Sequence, residues 1–302
     1  MANQRFLNSK FSVRLSIMIG KYLPQKTGYR ISYIIASFIS LFPNLNINKS
    51  IRVNQYIVNG ETNTRKELDQ ISKNILTHAG RCYYDYYHFY NRPEKLDAVV
   101  PLTEPMKEFI KLSQNKQGYM VVAPHLSNFD LVVSQMAYSG FRCNILSYPN
   151  PGSGYQLQNE IRTASGLDVT PLGDSSVEAK IIQYLKDGGM AATGIDRPVP
   201  GRKKRHYIKF FGKPSPLPVG YLTTALAADV PIIAVAAFML PNGTYGFKHS
   251  GPIQLKKYQN KLDEIILNAE TVLKKIEEFI KPAPEQWLMY YPVWPEHTKE
   301  GI

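Results

Sequence analysis

The residues best suited to chemistry lie in one short segment, Pro124-His125-Leu-Ser-Asn128-Phe129-Asp130, directly after an apolar run. An imidazole titrates near neutral pH and can take a proton from a hydroxyl group. A carboxylate in the first turn of a following helix can reach back to an imidazole in the preceding turn, fix its tautomer and stabilise its charged form. The spacing therefore predicts that His125 is a general base and that Asp130 orients it.

The same segment also allows an interpretation without catalysis. Ser127-Asn-Phe-Asp130 fits a capping box, in which the carboxylate only satisfies backbone N–H groups at the start of a helix. His125 would then be an ordinary loop histidine, so the surrounding elements must help to decide between the two.

Alternating strands and helices surround this segment from about residue 96 onward. Short apolar runs bounded by turns predict strands at 119–123, 143–148, 168–172, 189–195, 231–240 and 245–250. Apolar residues on helical spacing predict helices at 128–139, 153–165, 175–187, 219–228 and 258–280. This order predicts an α/β fold, a mostly parallel mixed sheet flanked by helices with one hairpin at its edge. His125 then lies between a strand and a helix, where active sites of such sheets are found.

The first 95 residues are predicted to be mostly helical, with helices near 11–23, 28–42 and 64–91. Apolar and aromatic side chains alternate with cationic ones in the first two, which is typical of an amphipathic hairpin on a bilayer surface. Two helices packed on the protein's own core are the alternative. No run of 18 apolar residues exists, so we expect no spanning helix. We expect a membrane-associating region at 1–95 and a catalytic α/β domain at 96–302.

The composition narrows the partners of this 302-residue chain. Its formal net charge of +12 favours nucleic acid, anionic lipid headgroups or an acidic protein as partners. Its 20 Tyr and 13 Phe fit a membrane interface, although an aromatic core would give the same count. The two cysteines, Cys82 and Cys143, lie far apart without metal-like spacing, so we expect a reducing cytoplasmic setting and no disulfide.

Further motifs follow the histidine segment in a characteristic order. They are Gly194-Ile-Asp196-Arg197, Phe210-Phe211-Gly212, Pro284-Glu-Gln-Trp287 and, more weakly, Arg52-Val-Asn54. Together they resemble the lysophospholipid acyltransferase superfamily, and most closely the lipid A late acyltransferases and phosphatidylinositol mannoside acyltransferases, over roughly residues 50–290. In these families the motif that begins at the histidine commonly reads His-x-x-Asn-Trp-Glu. In this chain it begins at His125 and has Phe129 and Asp130 in the last two places. These families often carry an arginine in a Tyr-Arg-Pro sequence. The corresponding segment here, Leu146-Ser-Tyr-Pro149, has no arginine, so the identity of the acceptor stays open.

The resemblance implies transfer of a fatty acyl group from an acyl thioester, on coenzyme A or acyl carrier protein, to a hydroxyl of a lipid or glycolipid acceptor. It implies His125 as the base with Asp130, and no metal or resident cofactor. We expect a peripheral, monotopic protein on the cytoplasmic face of the membrane. Its expected partners are an anionic membrane surface and, as one donor, an acidic acyl carrier protein.

Substrate-binding candidates lie in three places, and they are Asn128, Asp196, Arg197, Arg202 and Arg205. Arg202-Lys-Lys-Arg205 forms a basic loop that could bind phosphate or an acidic carrier, with a solvated loop as the alternative. A basic nucleic-acid-binding protein and a catalytically inactive lipid-binding relative are the rival functions. We expect no nucleic-acid partner, because no recognised binding module appears.

Overall fold

Helices form the first third of the chain in the computed structural model, which describes residues 10–90, 92–149, 152–173, 175–199 and 207–299. The helices that precede the sheet are α1 (Lys10–Tyr22), α2 (Gln25–Ser40), α3 (Asn46–Val58), α4 (Arg65–Phe89), α5 (Pro93–Val99) and α6 (Glu104–Leu112). The helical stretches predicted near 11–23, 28–42 and 64–91 are confirmed, whereas α3, α5 and α6 had not been given bounds. A capping box between Thr64 and Glu67 starts α4.

A six-stranded sheet forms the second part, and the predicted α/β fold class is confirmed. Its strands are β1 (Tyr119–Ala123), β2 (Asn144–Ser147), β3 (Asp168–Pro171), β4 (Met190–Gly194), β7 (Ile232–Met239) and β8 (Tyr245–Ile253). They lie in the order β3-β2-β4-β1-β7-β8, with β8 antiparallel to β7 and every other pair parallel. The predicted edge hairpin is therefore also confirmed. A separate two-stranded hairpin of β5 (Ile208–Phe210) and β6 (Lys213–Ser215) had not been predicted.

Helices cover both faces of this sheet. They are α7 (Phe129–Tyr138), α8 (Ser153–Ala164), α9 (Ser175–Lys186), α10 (Gly220–Ala228) and α11 (Lys261–Ile280). Successive residues of the central strand β1 alternate between the two cores. Met120 and Val122 join the core under α9, α10 and α11, and Tyr119 and Val121 join the core under α4, α6 and α7. This alternation explains why the central strands are continuously apolar.

Helices α1 and α2 lie against the long helix α4. Val13 of α1 is buried in the same core as the sheet residues, and Gly28 of α2 lies against the Tyr84 ring of α4. The outer surface of these two helices and the turn after them carries many exposed apolar side chains, namely Phe11, Leu15, Met18, Tyr22, Tyr33, Ile34, Ile35, Phe38, Leu41 and Phe42. Among the helices that the structure describes, none is both long and apolar enough to cross a bilayer. Binding to a membrane and the domain boundary near residue 95 stay predictions.

Helix α3 joins the front of the chain to its end through buried polar side chains. Asn54 donates from Nδ2 to the carbonyl oxygens of Met289 and Tyr291, at 3.1 and 2.8 Å, and its Oδ1 accepts from the backbone of Val293 at 3.1 Å. Arg52 contacts Asp69 and the carbonyl oxygen of Pro43. These contacts give the Arg52-Val-Asn54 motif a structural role, because Asn54 fixes the C-terminal segment after Trp287 and Arg52 ties α3 to α4 and to the turn before α3.

Candidate active site

His125 and Asp196 meet at the carboxyl ends of two neighbouring strands. Strands β1 and β4 are parallel, and Ala123 pairs with Gly194 at their ends. His125 and Asp196 each follow two residues later, so the sheet register places them side by side although they are 71 positions apart. His125 Nδ1 lies 2.6 Å from Asp196 Oδ1, and the His125 backbone N–H donates to Oδ2 at 2.7 Å. The imidazole is therefore held at two points by one carboxylate.

The Asp196 carboxylate is fully buried and accepts several hydrogen bonds. Trp287 Nε1 donates to its Oδ2 at 2.7 Å. Burial by itself would raise the pKa of Asp196, but the charge and hydrogen bonds of His125 and the hydrogen bond of Trp287 together hold that pKa below its ordinary value. The carboxylate is thus ionised at neutral pH. His125 Nδ1 must then carry the proton in their shared bond, which leaves Nε2 as the proton acceptor.

The predicted contact between Asp130 and His125 is wrong. Both side chains belong to the described part of the chain, and no hydrogen bond or ion pair joins them there. Asp130 instead binds Arg162 of α8 through two parallel hydrogen bonds of 2.7 and 3.0 Å. The physical reason is the burial of Arg162, whose side chain is only 7% exposed and whose charge needs a nearby anion. Asp196 takes the place beside His125 that we had predicted for Asp130.

The loop between His125 and α7 is fixed by helix α4. Asn128 is buried, and its Nδ2 donates to the carbonyl oxygen of Cys82 at 2.9 Å. Ser127, in the left-handed region with φ of 48°, has its Oγ 3.1 Å from His78 Nε2. Burial lowers the pKa of His78 to about 4, with a smaller contribution from Arg81. His78 is therefore neutral at pH 7, and these side chains position the loop without adding charge to the site.

The capping-box interpretation of this loop is also not what the structure shows. Helix α7 begins at Phe129, and Asn128, its N-cap residue, makes no side-chain capping bond. The segment Gln286–Leu288 pairs with the loop instead. The backbone N–H of Ser127 donates to the Gln286 carbonyl, and that of Leu288 donates to the His125 carbonyl, both at 2.8 Å. The Pro284-Glu-Gln-Trp287 motif thus supplies both a backbone support for His125 and a hydrogen bond to Asp196.

The other predicted substrate-binding residues have separate outcomes. The buried Asn128 amide donates to the Cys82 carbonyl, and the Asp196 carboxylate binds His125 and Trp287. A contact of either residue with substrate stays a prediction. Arg197 is half-buried, and its guanidinium lies 3.5 Å from the centre of the Tyr291 ring. Arg202 and Arg205 lie outside the described residues. The Phe210 ring beside them in sequence is fully buried against Trp294.

Two residues of the site were missed. Arg162 gave no signal, because a lone arginine in a predicted helix is usually solvated. Gly194 lies directly against the His125 ring: an added Cβ would be 2.9 Å from Cε1 of His125. Its place at the end of a strand whose register matches that of β1 could have indicated the contact.

Comparison with protein families gives a match over residues 10–296 to the family described as bacterial lipid A biosynthesis acyltransferase. Comparison with curated proteins found no match. The match covers all six strands of the sheet and both members of the His125–Asp196 pair.

Proposed function

The chain belongs to the bacterial lipid A biosynthesis acyltransferase family, and from this membership we propose a reaction for the site around His125. The protein is an acyltransferase with a lipid acceptor. The donor is an acyl thioester of coenzyme A or acyl carrier protein, and the acyl group passes to a hydroxyl of a lipid or glycolipid. His125 is the general base and Asp196 is the residue that orients it.

The proposed transfer takes place in one addition and one elimination. Nε2 of His125 removes the proton from the acceptor hydroxyl while its oxygen attacks the thioester carbonyl carbon. The tetrahedral intermediate collapses, the carbon–sulfur bond breaks, and the leaving thiolate takes the proton back from the imidazolium. Asp196 stabilises the imidazolium in the interval, because its buried carboxylate receives the N–H of Nδ1. No covalent bond to the enzyme is needed.

The observation that carries this proposal is the 2.6 Å contact between His125 Nδ1 and Asp196 Oδ1. The two partners differ in exposure, since the imidazole is 34% exposed and the carboxylate is not exposed at all. A buried anion behind a partly open imidazole is the arrangement expected of a base that must meet a substrate. Among the described residues, Nε2 has no hydrogen-bond partner, so it is available to a hydroxyl group.

The test is acyl transfer by purified full-length protein, with acyl-coenzyme A or acyl carrier protein as donor and extracted lipids as acceptor. We expect His125→Ala to lower the transfer rate at least about 100-fold and Asp196→Asn to lower it by a similar factor. The matched control is Gln183→Ala in α9, an exposed residue that bonds to Asp187 and not to any residue named in the site, and this variant should keep most of the activity. Undiminished transfer by a folded His125→Ala variant would refute the mechanism.

We propose that Arg202 and Arg205 attract the anionic substrate as part of the basic loop 202–205. Exposed ion pairs are weak and are screened by salt, so only the cluster should have a large effect. Changing the four loop residues to Ser should raise the KM of the anionic substrate and change kcat less. The KM of the unchanged protein should also rise more steeply with salt. Equal salt slopes for the two proteins would show that the loop is an ordinary solvated surface.

We further propose that α1 and α2 bind the cytoplasmic face of an anionic membrane, as a monotopic surface. Two features support this: the exposed apolar side chains of these helices, and the absence of any Asp or Glu from the first 60 positions of the sequence. Cationic side chains such as Lys21, Lys26 and Arg30 are exposed on the same helices. Apolar insertion and attraction to anionic lipids would then act together.

A further inference from the structure

A buried carboxyl group, that of Asp85 in α4, joins three elements of the fold and is not used in the proposed transfer. Asp85 is only 1% exposed. The hydroxyl of Tyr245, the first residue of β8, donates to its Oδ2 at 2.6 Å. The hydroxyl of Tyr29 in α2 lies 2.8 Å from Oδ1 and 2.9 Å from Oδ2, and it accepts from Gln25 Nε2 at 2.8 Å. Asp85 is therefore the point at which α2, α4 and β8 are joined.

The adjoining turn of α4 holds the catalytic loop, residues 125–128. Cys82 lies three positions before Asp85, about one helical turn away. Its carbonyl oxygen accepts the 2.9 Å hydrogen bond from Asn128, and its sulfur lies 3.9 Å from Ser127 Oγ. A shift of this helical turn must therefore move the loop, because two residues of the loop contact it.

The second support of the loop is anchored to the same hairpin of the sheet. The backbone N–H of Ser127 donates to the Gln286 carbonyl, and the Gln286 side chain bonds to the backbone N–H and carbonyl of Met239 at 2.7 and 2.9 Å. Met239 of β7 pairs directly with Tyr245 of β8. Both supports of the loop thus end at one place in the sheet, one through Asp85 and Tyr245 and the other through Gln286.

Hydrogen bonding at this place has a cost that apolar packing would avoid. Burial raises the pKa of Asp85 even though hydrogen bonds from Tyr245 and Tyr29 act in the opposite direction. Apolar side chains of similar volume could join the same elements without desolvating a carboxyl group. Directional hydrogen bonds, unlike apolar contacts, fix one relative arrangement of the elements that they join. What the cluster adds is therefore a defined position rather than stability.

We propose that Asp85 is a positioning residue of the transfer reaction, which acts on His125 through Tyr245 and the adjoining turn of α4. The inference rests on the proposed function, because it takes His125 as the reacting base. Loss of the Tyr245 hydrogen bond releases the helical turn from the sheet, and the loop shifts with it. A displacement of roughly 1 Å would move Nε2 of His125 away from the acceptor hydroxyl and stretch the bond from Nδ1 to Asp196.

The test variants remove hydrogen bonds and keep most of the side-chain volume. Asp85→Leu removes every bond to the carboxyl group. Tyr245→Phe removes one and keeps the ring, which covers the case in which Asp85→Leu does not fold. In the acyl-transfer assay with full-length protein, well below the melting temperature of each variant, we expect both to lower kcat roughly ten-fold and to change KM less than about two-fold. Asp85→Asn keeps an acceptor oxygen for the tyrosines and should recover most of the lost kcat.

Tyr119→Phe is the matched control. Tyr119 is also a buried tyrosine of the sheet, and its hydroxyl accepts from Asn115 Nδ2 at 2.9 Å, but it starts β1 and lies at the end of that strand away from His125. This variant should keep its kcat even if it loses stability. A folded Tyr245→Phe protein with an unchanged kcat would overturn the proposal, and so would an equal loss of kcat in Tyr119→Phe.

A second measurement does not depend on turnover. The proton between Nδ1 of His125 and Asp196 should give a far-downfield NMR signal in protein with labelled histidine, because the bond is short and charge-assisted. His125→Ala identifies this signal by removing it. We expect the signal to move or broaden in Tyr245→Phe and to stay in place in Tyr119→Phe. An unmoved signal in both would overturn the positioning role, whereas a moved signal in a protein that transfers no acyl group would refute only the proposed function.

Discussion

Gly194 is the position at which the structure makes its sharpest prediction. A Cβ atom added there would lie 2.9 Å from Cε1 of His125 and 3.5 Å from its Nε2, and the three nearest atoms all belong to this ring. Carbon atoms in contact are normally about 3.5–4.0 Å apart, so the imidazole must move by roughly 0.6 Å or more. The backbone of Gly194 does not have a positive φ, so alanine is compatible with its conformation. The ring contact is therefore the main consequence of Gly194→Ala.

The displaced ring must stretch or tilt its 2.6 Å bond to Asp196 and move Nε2 away from the acceptor hydroxyl. A misplacement approaching 1 Å can cost on the order of 100-fold in rate, so we expect kcat to fall by roughly 10- to 100-fold. The KM values should change much less, since Gly194 touches the base and not the proposed substrate groups. The cost in unfolding free energy should stay near the 1–3 kcal/mol typical of overpacking.

The assay follows release of the donor thiol with a coloured disulfide reagent. Both cysteines of the protein are buried, which keeps the background reaction low. Gly220→Ala is the matched control, because an added Cβ there meets no atom within 4 Å. That variant should keep full activity. A folded Gly194→Ala protein with an unchanged kcat would refute the claim that the position of the His125 ring limits the reaction.

Three further predictions concern binding and stability. Ile34→Glu with Phe38→Glu should reduce sedimentation with anionic vesicles, whereas Leu262→Glu with Leu267→Glu, two equally polar changes on α11, should not. Equal sedimentation of the unchanged protein and both variants would exclude α2 as the membrane contact. Asp130→Asn leaves the buried guanidinium of Arg162 without its anion, so it should lower the free energy of unfolding by about 3 kcal/mol. Denaturant titrations measure this loss, and unchanged stability would contradict the role of the ion pair. Burial raises the pKa of Asp85 despite hydrogen bonds from two tyrosines, so its contribution to stability is present at low pH and is lost as pH rises. Between about pH 4 and about pH 7, the free energy of unfolding of the unchanged protein should therefore fall relative to that of Asp85→Asn. Parallel pH dependences of unfolding free energy in the two proteins would disprove this.

Local patterns were sufficient to predict the fold class and to single out His125 as the candidate base. The central strands are short apolar runs between turns, and the flanking helices repeat their apolar residues at helical spacing, so each element could be located from its neighbours in the chain. The strand-to-helix junction after β1 singled out His125 for the same reason. The hairpin of β5 and β6 escaped prediction because each strand has only three residues, too few for a period to appear.

Only the tertiary structure decided which carboxylate serves His125. Sequence proximity favoured Asp130, which lies five positions from His125. The Asp130 carboxylate instead points to the buried Arg162 of another helix, which donates two hydrogen bonds to it. Asp196 is 71 positions away and reaches the imidazole because β1 and β4 are adjacent, parallel and aligned at Ala123 and Gly194. Strand order and register are set by packing across the whole sheet. A buried charged side chain must in addition lie next to a group of opposite charge. The sequence therefore indicated the class of reaction and the histidine that we propose as its base, while packing between distant elements selected the carboxylate that binds this histidine.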